Sequence, residues 1–336
     1  MNLIVPAVLF FCVLIGTVLA VRGSMGYLQR RDIFDNPNAR SSHVRPTLRG
    51  GGLGVLPIVI LAWIIIGYIF STPGDNALLS ALGWVILGAI MLAAISWSDD
   101  LRSLPPILRL LAQIGATALV LWMSPVSSPY FQGLLPPWLD LTAAAIFWVW
   151  FINLFNFMDG IDGISGVETA GIGFGVAALA AAALTSNTNG LFGLTVAASA
   201  IGFLRWNWHP AKVFLGDVGS VPLGFVLGWL LLKLGGEGLW AAAIILPLYY
   251  FLDATITLLH RAVKREKIWE AHRSHFYQQA IQRGLSHGTV SFAVALNNVV
   301  LIGLALYSVS SPWAALIAAL VITVFFLGYY RGGKKA

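Results

Sequence analysis

Long apolar stretches alternate with short polar ones from one end of the chain to the other. The apolar runs fall at about 3–21, 51–70, 77–97, 106–124, 139–156, 165–185, 190–206, 218–234, 239–259, 289–309 and 313–330. Most are long enough, as helices, to cross roughly 30 Å of hydrocarbon. Without water to hydrogen-bond the backbone, such runs form helices rather than open sheet. Gly, Pro, Ser and Asn mark the breaks, as in Ser71-Thr-Pro-Gly-Asp75, Ser186-Asn-Thr-Asn-Gly190, Gly235-Gly-Glu-Gly238 and Ser310-Ser-Pro312. The pattern predicts an all-α integral membrane protein with about eleven transmembrane helices. Residues 1–336 read as a single polytopic domain, because the longest polar stretches are only about thirty residues.

Composition agrees: 58% of residues are hydrophobic and 10% charged, where a soluble domain carries about a quarter. The net charge of +6 does not mark a nucleic-acid binder, because the basic residues gather in alternate loops. The loop after the first run holds Arg22, Arg30, Arg31, Arg40, Arg45 and Arg49. The loop after the ninth holds Arg261, Lys264, Arg265, Lys267, Arg273 and Arg283, and the tail Arg331, Lys334 and Lys335. Asp75, Asp140 and Glu237 are the charges near the intervening loops. The positive-inside rule then puts the N-terminus in the periplasm and the C-terminus in the cytoplasm, in agreement with an odd number of spans. The first run lacks a basic segment before it and is followed directly by Arg22, so it reads as an uncleaved span. One cysteine, Cys12, leaves no disulfide framework and no Cys-based metal site.

The informative polar clusters all fall in the inward loops. Asp99 and Asp100 end the third run; two adjacent carboxylates with few charges around them call for a cation. Asp159 and Asp162 stand three apart, each followed by Gly, with Asn153 and Asn156 in the same three-residue step before them. On a helix the two acids would share a face, and glycines let a ligand or neighbouring backbone approach closely. Ionisable groups this near the bilayer mark a site, although helix capping is the plain alternative. Asp217, between Gly216 and Gly219, opens a new apolar run. Carboxylates from several loops on one membrane face suit a hard, oxygen-seeking cation, Mg2+ before Mn2+; zinc would call for His and Cys, and the histidines are scattered.

Cationic groups oppose these acids. His43, Arg45 and Arg49 precede Gly50-Gly-Gly52, a loop able to offer backbone N–H groups to an anion. His272, Arg273 and His275 share a loop with Tyr277 and Gln278, a donor set suited to a diphosphate or nucleotide. Taken singly, each basic residue also serves as a topology signal. Together, acids, Gly-rich turns and convergent Arg and His are the parts of phosphoryl transfer, which proceeds by charge neutralisation and positioning.

Here the chain resembles the polyprenyl-phosphate N-acetylhexosamine-1-phosphate transferases, glycosyltransferase family 4 (the WecA/MraY family). Asp99-Asp100 matches the family's Asp-Asp signature, Asn153 to Gly163 its Asn-x-x-Asn-x-x-Asp-Gly-x-Asp-Gly run, and Phe214 to Ser220 its Gly-Asp-x-Gly-Ser element, all in family order. The fifth-loop His272-Arg-Ser-His275 departs from the His triplet of the peptidoglycan branch and looks most like O-antigen-initiating enzymes of the WbpL type. The resemblance implies a bacterial inner-membrane enzyme with its active site formed by cytoplasmic loops. It would transfer a sugar phosphate from a UDP-N-acetylhexosamine (GlcNAc or a related amino sugar such as FucNAc) to undecaprenyl phosphate, releasing UMP and initiating lipopolysaccharide synthesis. A homodimer stays open. Carried onto matching positions, Asp217 would bind Mg2+, and Asp99 or Asp100 would bind metal or take a proton. Asn156 and Asp159 would line the metal and diphosphate region, with Asn153 beside them. Asp162 would approach the nucleotide, His272, Arg273 and His275 would hold diphosphate and sugar with His43 and Arg49, and Arg109 would meet the lipid phosphate. Three rivals stand beside this reading on the residues alone: a secondary transporter, which would place its acids near mid-membrane within a repeat, a non-catalytic membrane scaffold, and a phosphotransferase of the CDP-alcohol type, whose acidic motif has a different spacing.

Overall fold

A computed structural model describes residues 4–37, 42–71, 77–124, 129–267 and 272–332. Arg40, Asp75, Lys334 and Lys335, used above for orientation, lie outside the described residues. The protein is a multi-pass membrane protein built almost wholly of helices: α1 Ile4–Arg30, α2 Gly52–Phe70, α3 Ala77–Arg102, α4 Pro106–Met123, α5 Pro137–Phe157, α6 Ile164–Ala181, α7 Asn187–Asn207, α8 Asp217–Gly236, α9 Trp240–Ile245, α10 Leu248–Val263, α11 Phe276–Gln282, α12 His287–Tyr307 and α13 Pro312–Gly332. Among the described residues, nine of these are long and apolar enough to cross a membrane. The outstanding cases are informative. Helix α7 has 21 residues and lies between α1, α2 and α6, but Asn, Thr and Arg dilute its apolar character. The run at 239–259 is broken at Leu246-Pro247 into α9 and α10, because proline cannot continue the hydrogen-bond ladder.

Sequence sets the helix starts. Pro106 and Pro137 open α4 and α5 at the position where a missing N–H costs nothing. Ser186 and Ser286 cap α7 and α12 by accepting the N–H groups of Asn189 and Thr289, each at 3.1 Å. Buried apolar side chains from Val21 in α1 to Leu327 in α13 form one continuous cluster. Its centre is α8, 94% buried and packed against α3, α5 and α2.

At one end of this bundle the chain makes a small sheet that the hydropathy pattern does not announce. Strands β1 (Phe34–Asp35), β2 (Thr47–Arg49) and β3 (Val213–Phe214) lie in the order β1-β2-β3, antiparallel then parallel. The register Arg49↔Phe214 sets Arg49 three residues from Asp217. The following glycines serve this junction. Gly50 and Gly51 donate to the Phe214 carbonyl at 3.1 and 2.8 Å, and Gly52 to that of Leu215 at 2.9 Å. These N–H groups are therefore engaged within the fold, and the expectation that they face an anion is corrected. Glycine is required here because α2 and α8 start in contact: a Cβ on Gly52 would sit 2.2 Å from the Gly219 Cα.

Candidate functional site

Three parts of the chain bring the acids together. Asp99 and Asp100 lie in the last turn of α3, Asp217 opens α8, and Asp159 and Asp162 occupy the connection between α5 and α6. That connection is not helical, so Asp159 and Asp162 do not share a helix face as their spacing suggested; the turn points them to different partners.

Asp100 has a fully buried side chain and accepts the N–H groups of Asp217 and Val218 at 3.1 and 2.9 Å. It thus caps α8 from a neighbouring helix, placing an anion at the positive end of that dipole. Its Oδ1 also meets the Arg49 guanidinium at 2.8 Å. Asp99 turns the other way, to Arg109 at 2.8 Å and the Leu104 N–H at 2.6 Å. Each of the adjacent carboxylates therefore has its own guanidinium.

Asp217 stands between both cations. Arg49 donates to its Oδ1 at 3.1 Å and Arg109 lies 3.6 Å from its Oδ2. Asn156 donates to the same Oδ1 at 3.1 Å and to Ser220 at 2.8 Å. Burial works against the Arg49 charge, yet the carboxylates of Asp100, Asp217 and Asp35 hold its pKa above the ordinary guanidinium value. Asp159 accepts the Ser165 hydroxyl at 2.7 Å, and that hydroxyl is 3.2 Å from the Tyr250 hydroxyl. Burial, with added repulsion from Asp217 and Asp100, pushes its pKa up to about 7.

Asp162 is held differently. Its carboxylate lies 2.7 Å from His209 Nδ1 and 3.1 Å from His287 Nδ1, and accepts the Ala211 N–H at 3.1 Å. Burial alone would raise its pKa; the hydrogen bonds from His287 and His209 hold it below the usual carboxylate range. His287 also reaches the Ser42 carbonyl at 3.2 Å, tying the first loop to α12. Asn207 accepts the Gly163 N–H and donates to the Val213 carbonyl, both at 2.9 Å. His209, His287 and Asn207 are not part of any motif identified above. They come from the segment before β3 and from the start of α12, and only the fold brings them to Asp162.

A cavity of about 270 Å³ joins these groups, lined by Asp159, Asp162, Asp217, Arg49, Asn156 and His43 among others. The His43 ring meets the Phe214 ring edge-on at 4.9 Å. His272, Arg273 and His275 do not line it. His275 is buried, with Nδ1 3.1 Å from the buried Asp253 carboxylate, which also accepts the Phe276 and Tyr277 N–H groups at the start of α11. The His272 ring lies 4.8 Å from that of His275, tilted by 31°, and burial with His275 and Arg261 nearby lowers its pKa to about 4. From this helix it is Gln278 that reaches the cavity. Tyr277 donates to the Phe157 carbonyl at 3.2 Å, and a Cβ on Gly160 would lie 2.1 Å from its hydroxyl, so that glycine makes room for Tyr277.

Beside this cavity runs an apolar groove of about 550 Å³ between α4, α5 and α10, lined by Leu110, Ile114, Ala118, Trp150, Asn153 and Leu258 among others. Asn153 donates to Gln113 at 2.5 Å and stands one residue step of three before Asn156, while Leu110 adjoins Arg109. Arg109, which pairs with Asp99 and lies 3.6 Å from Asp217, directly precedes the groove residue Leu110 in α4.

Asp217 and Asp159 bring carboxylate oxygens to the cavity, whose described lining carries no thiol, which suits a hard cation; at Asp217 a cation would replace the contacts of Arg49 and Asn156. Asp100 suits one less, since two N–H groups and Arg49 already occupy its oxygens.

The sequence profile of glycosyl transferase family 4 matches residues 82–235, the stretch from α3 to α8 that carries Asp99, Asp100, Arg109, Asn153, Asn156, Asp159, Asp162 and Asp217. Among curated relatives, the chain is 24% identical over 306 residues to the "Probable undecaprenyl-phosphate N-acetylglucosaminyl 1-phosphate transferase" of Bacillus subtilis, covering 87% of this chain and 82% of the relative. It is 26% identical over 354 residues to the decaprenyl-phosphate N-acetylglucosaminephosphotransferase of Mycobacterium leprae, covering 90% and 84%. It is 28% identical over 211 residues to a phospho-N-acetylmuramoyl-pentapeptide-transferase of Staphylococcus aureus, covering 58% and 65%.

Proposed function

We propose that the chain, whose residues 82–235 match the profile of glycosyl transferase family 4, is a member of that family, and that it transfers a sugar 1-phosphate from a UDP-N-acetylhexosamine to undecaprenyl phosphate at the cytoplasmic face of the bacterial inner membrane. The observation that carries this reading is the junction itself. Carboxylates, Asn156 and the Arg49 guanidinium line a polar cavity, and an apolar groove lies next to it. The groove is lined by Asn153, three residues before Asn156 on α5, and by Leu110, next to Arg109, which lies 3.6 Å from the cavity's Asp217. A substrate pair of one nucleotide diphosphate and one long polyprenyl chain needs such a polar and apolar pair of sites side by side.

In this reaction an oxygen of the lipid phosphate forms a bond to the sugar-bearing phosphorus, and the bond from that phosphorus to the UMP oxygen breaks, UMP leaving with the electron pair. A phosphomonoester has a second pKa near 6 and is mostly dianionic at neutral pH. No strong general base is required. Asp217 and Asp159 would hold Mg2+, which neutralises diphosphate charge and assists the leaving oxygen. Arg109, paired with Asp99 and next in sequence to the groove residue Leu110, orients the lipid phosphate. Arg49 faces the diphosphate, and Asp99 and Asp100 fix these two guanidiniums, each by a 2.8 Å pair. Asp162 and His43, also in the cavity wall, would face the nucleoside.

The test is UMP release by purified protein with Mg2+, undecaprenyl phosphate and a panel of UDP-N-acetylhexosamines. Release is expected with at least one sugar, and Asp217→Asn is expected to lower it by about three orders of magnitude. Silence with every sugar would end the proposal. The panel also decides which amino sugar, of the GlcNAc or FucNAc kind, is transferred; that it starts an O-antigen rests on the resemblance of the fifth-loop motif.

A further inference from the structure

Around Asp162 the fold builds a cluster of a different chemistry from the carboxylates near Asp217. His209 and His287 stand 47 and 125 residues from Asp162 along the chain, yet one ligating atom from each of the three lies within 4.8 Å of the other two. His209 Nδ1 is 2.7 Å from Oδ2 and His287 Nδ1 is 3.1 Å from Oδ1. Two imidazoles with one carboxylate suit a borderline cation such as Zn2+, where Mg2+ prefers oxygen alone. Zinc bonds of about 2.1 Å set tetrahedral ligands about 3.4 Å apart, close to the spacing that Asp162 and His287 already hold.

The hydrogen bonds of His287 show which of its nitrogens is free to ligate. Nε2 meets the Ser42 carbonyl, an acceptor only, so Nε2 carries a proton. Nδ1 receives the Asp162 N–H at 3.3 Å and so presents a lone pair, which faces a second acceptor, the Asp162 carboxylate. A cation on that lone pair would take the place of the long N–H contact and would relieve the repulsion between the two acceptors. An imidazole that ligates through one nitrogen and gives its other N–H to a backbone carbonyl is the usual support for a metal ligand. The carboxylate is held in register with it: Ser291, one turn after His287 on α12, donates to the Asp162 carbonyl at 2.7 Å. Oδ2 accepts the Ala211 N–H, which leaves Oδ1 for the ion. The His209 side chain is 41% exposed, so the third ligand stands at the solvent side, where water can complete the coordination.

We propose that Asp162, His209 and His287 form a binding site for a zinc-class divalent cation, separate from the position of Mg2+ at Asp217 and Asp159. Its ligands come from the α5–α6 connection, the segment before β3 and the start of α12, so the ion would cross-link three parts of the chain.

Titration calorimetry with Zn2+ tests this on the full-length protein, purified in detergent without a histidine tag, stripped with chelator and kept in millimolar Mg2+. One Zn2+ per chain is expected. His209→Gln and His287→Gln are each expected to weaken binding by about a hundredfold, and Asp217→Asn to leave it unchanged. His209→Cys, which keeps a zinc ligand, is expected to bind within about tenfold of the wild type; that separates a lost ligand from a lost fold. Co2+ in place of Zn2+ should give the visible absorption of a four-coordinate ion in the wild type and not in His209→Gln. Failure of the wild type to bind, equal affinity of wild type and His209→Gln, or equal loss in His209→Gln and His209→Cys would each overturn the proposal. So would loss of the ion in Asp217→Asn. Binding is read with neither UDP-sugar nor lipid present, so failure here leaves the transferase reading standing, and silence in the UMP assay leaves this site standing.

Discussion

Asp217 is approached by two guanidiniums and an amide, while Asp159 is buried against the Ser165 hydroxyl and its pKa rises from 3.8 to about 7. The consequence has a definite sign. The folded state binds the Asp159 proton more tightly than the unfolded chain, so its contribution to stability is full below the unfolded value and is lost as pH rises through about 7. Activity should run the other way if the ionised form helps to hold Mg2+. At low Mg2+, kcat/KM is expected to rise with a midpoint near 7; more Mg2+ should move that midpoint down, because the ion favours the carboxylate. Asp159→Asn should flatten this limb. A profile measured at two Mg2+ concentrations that does not move would separate Asp159 from the ion. At this scale the sequence was readable as far as the motifs went. Asp99, Asp100, Asn156, Asp159 and Asp217 do meet, because each sits at a helix end that the apolar pattern also marks. His209 and His287 were not readable, since nothing near either residue in the chain indicates that Asp162 lies between them.

The elements are held at the site end by backbone proximity. Gly52 of α2 and Gly219 of α8 touch so closely that a Cβ at Gly52 would lie 2.2 Å from a backbone carbon, whereas Gly83 of α3 has open space around its Cβ position. Gly52→Ala should therefore separate the two helix starts, misplace Arg49 against Asp217, and lower both the melting temperature and UMP release. Gly83→Ala should leave activity intact and keep or raise the melting temperature, since alanine is the better helix former by up to about 1 kcal/mol. Differential scanning of the two variants in one detergent makes the comparison, and equal melting would refute the contact. The helices themselves were legible because hydrocarbon leaves the backbone no other choice. The sheet was not: two- and three-residue strands carry too little alternation to register, and β2 pairs with β3 across more than 160 residues of chain. The break at Pro247 is visible in the sequence but sits inside an apolar run, where proline is compatible with either a kink or an end.

For the whole molecule the question is how two unlike substrates reach one point. Helix α8 runs from Asp217 to Gly236, 20 residues and so about 30 Å, which puts the acids at one end of the bundle. Asp140, which accepts the Tyr130 and Phe131 N–H groups, and Glu237, bonded to Thr185 and Asn189, belong to the other. Reporter fusions at Gly236 and Lys267 are expected to report outside and inside respectively, which would give the acid end access to cytoplasmic nucleotide sugars; reversed signals would refute that orientation. The lipid then has to arrive sideways, through the bilayer, and the groove between α4, α5 and α10 offers that path. Ala118 lines it and is exposed to lipid, so a bulky side chain there can fill the groove with little disturbance to packing. Ala118→Trp is expected to raise KM for undecaprenyl phosphate by about tenfold, the equivalent of about 1.4 kcal/mol of lost binding, with KM for the UDP-sugar unchanged. A polyprenyl phosphate of one or two isoprene units, too short to reach Ala118, should show a much smaller difference between wild type and variant. Equal effects on long and short acceptors would mean that the chain does not lie in this groove, and that only the phosphate end is recognised at Arg109.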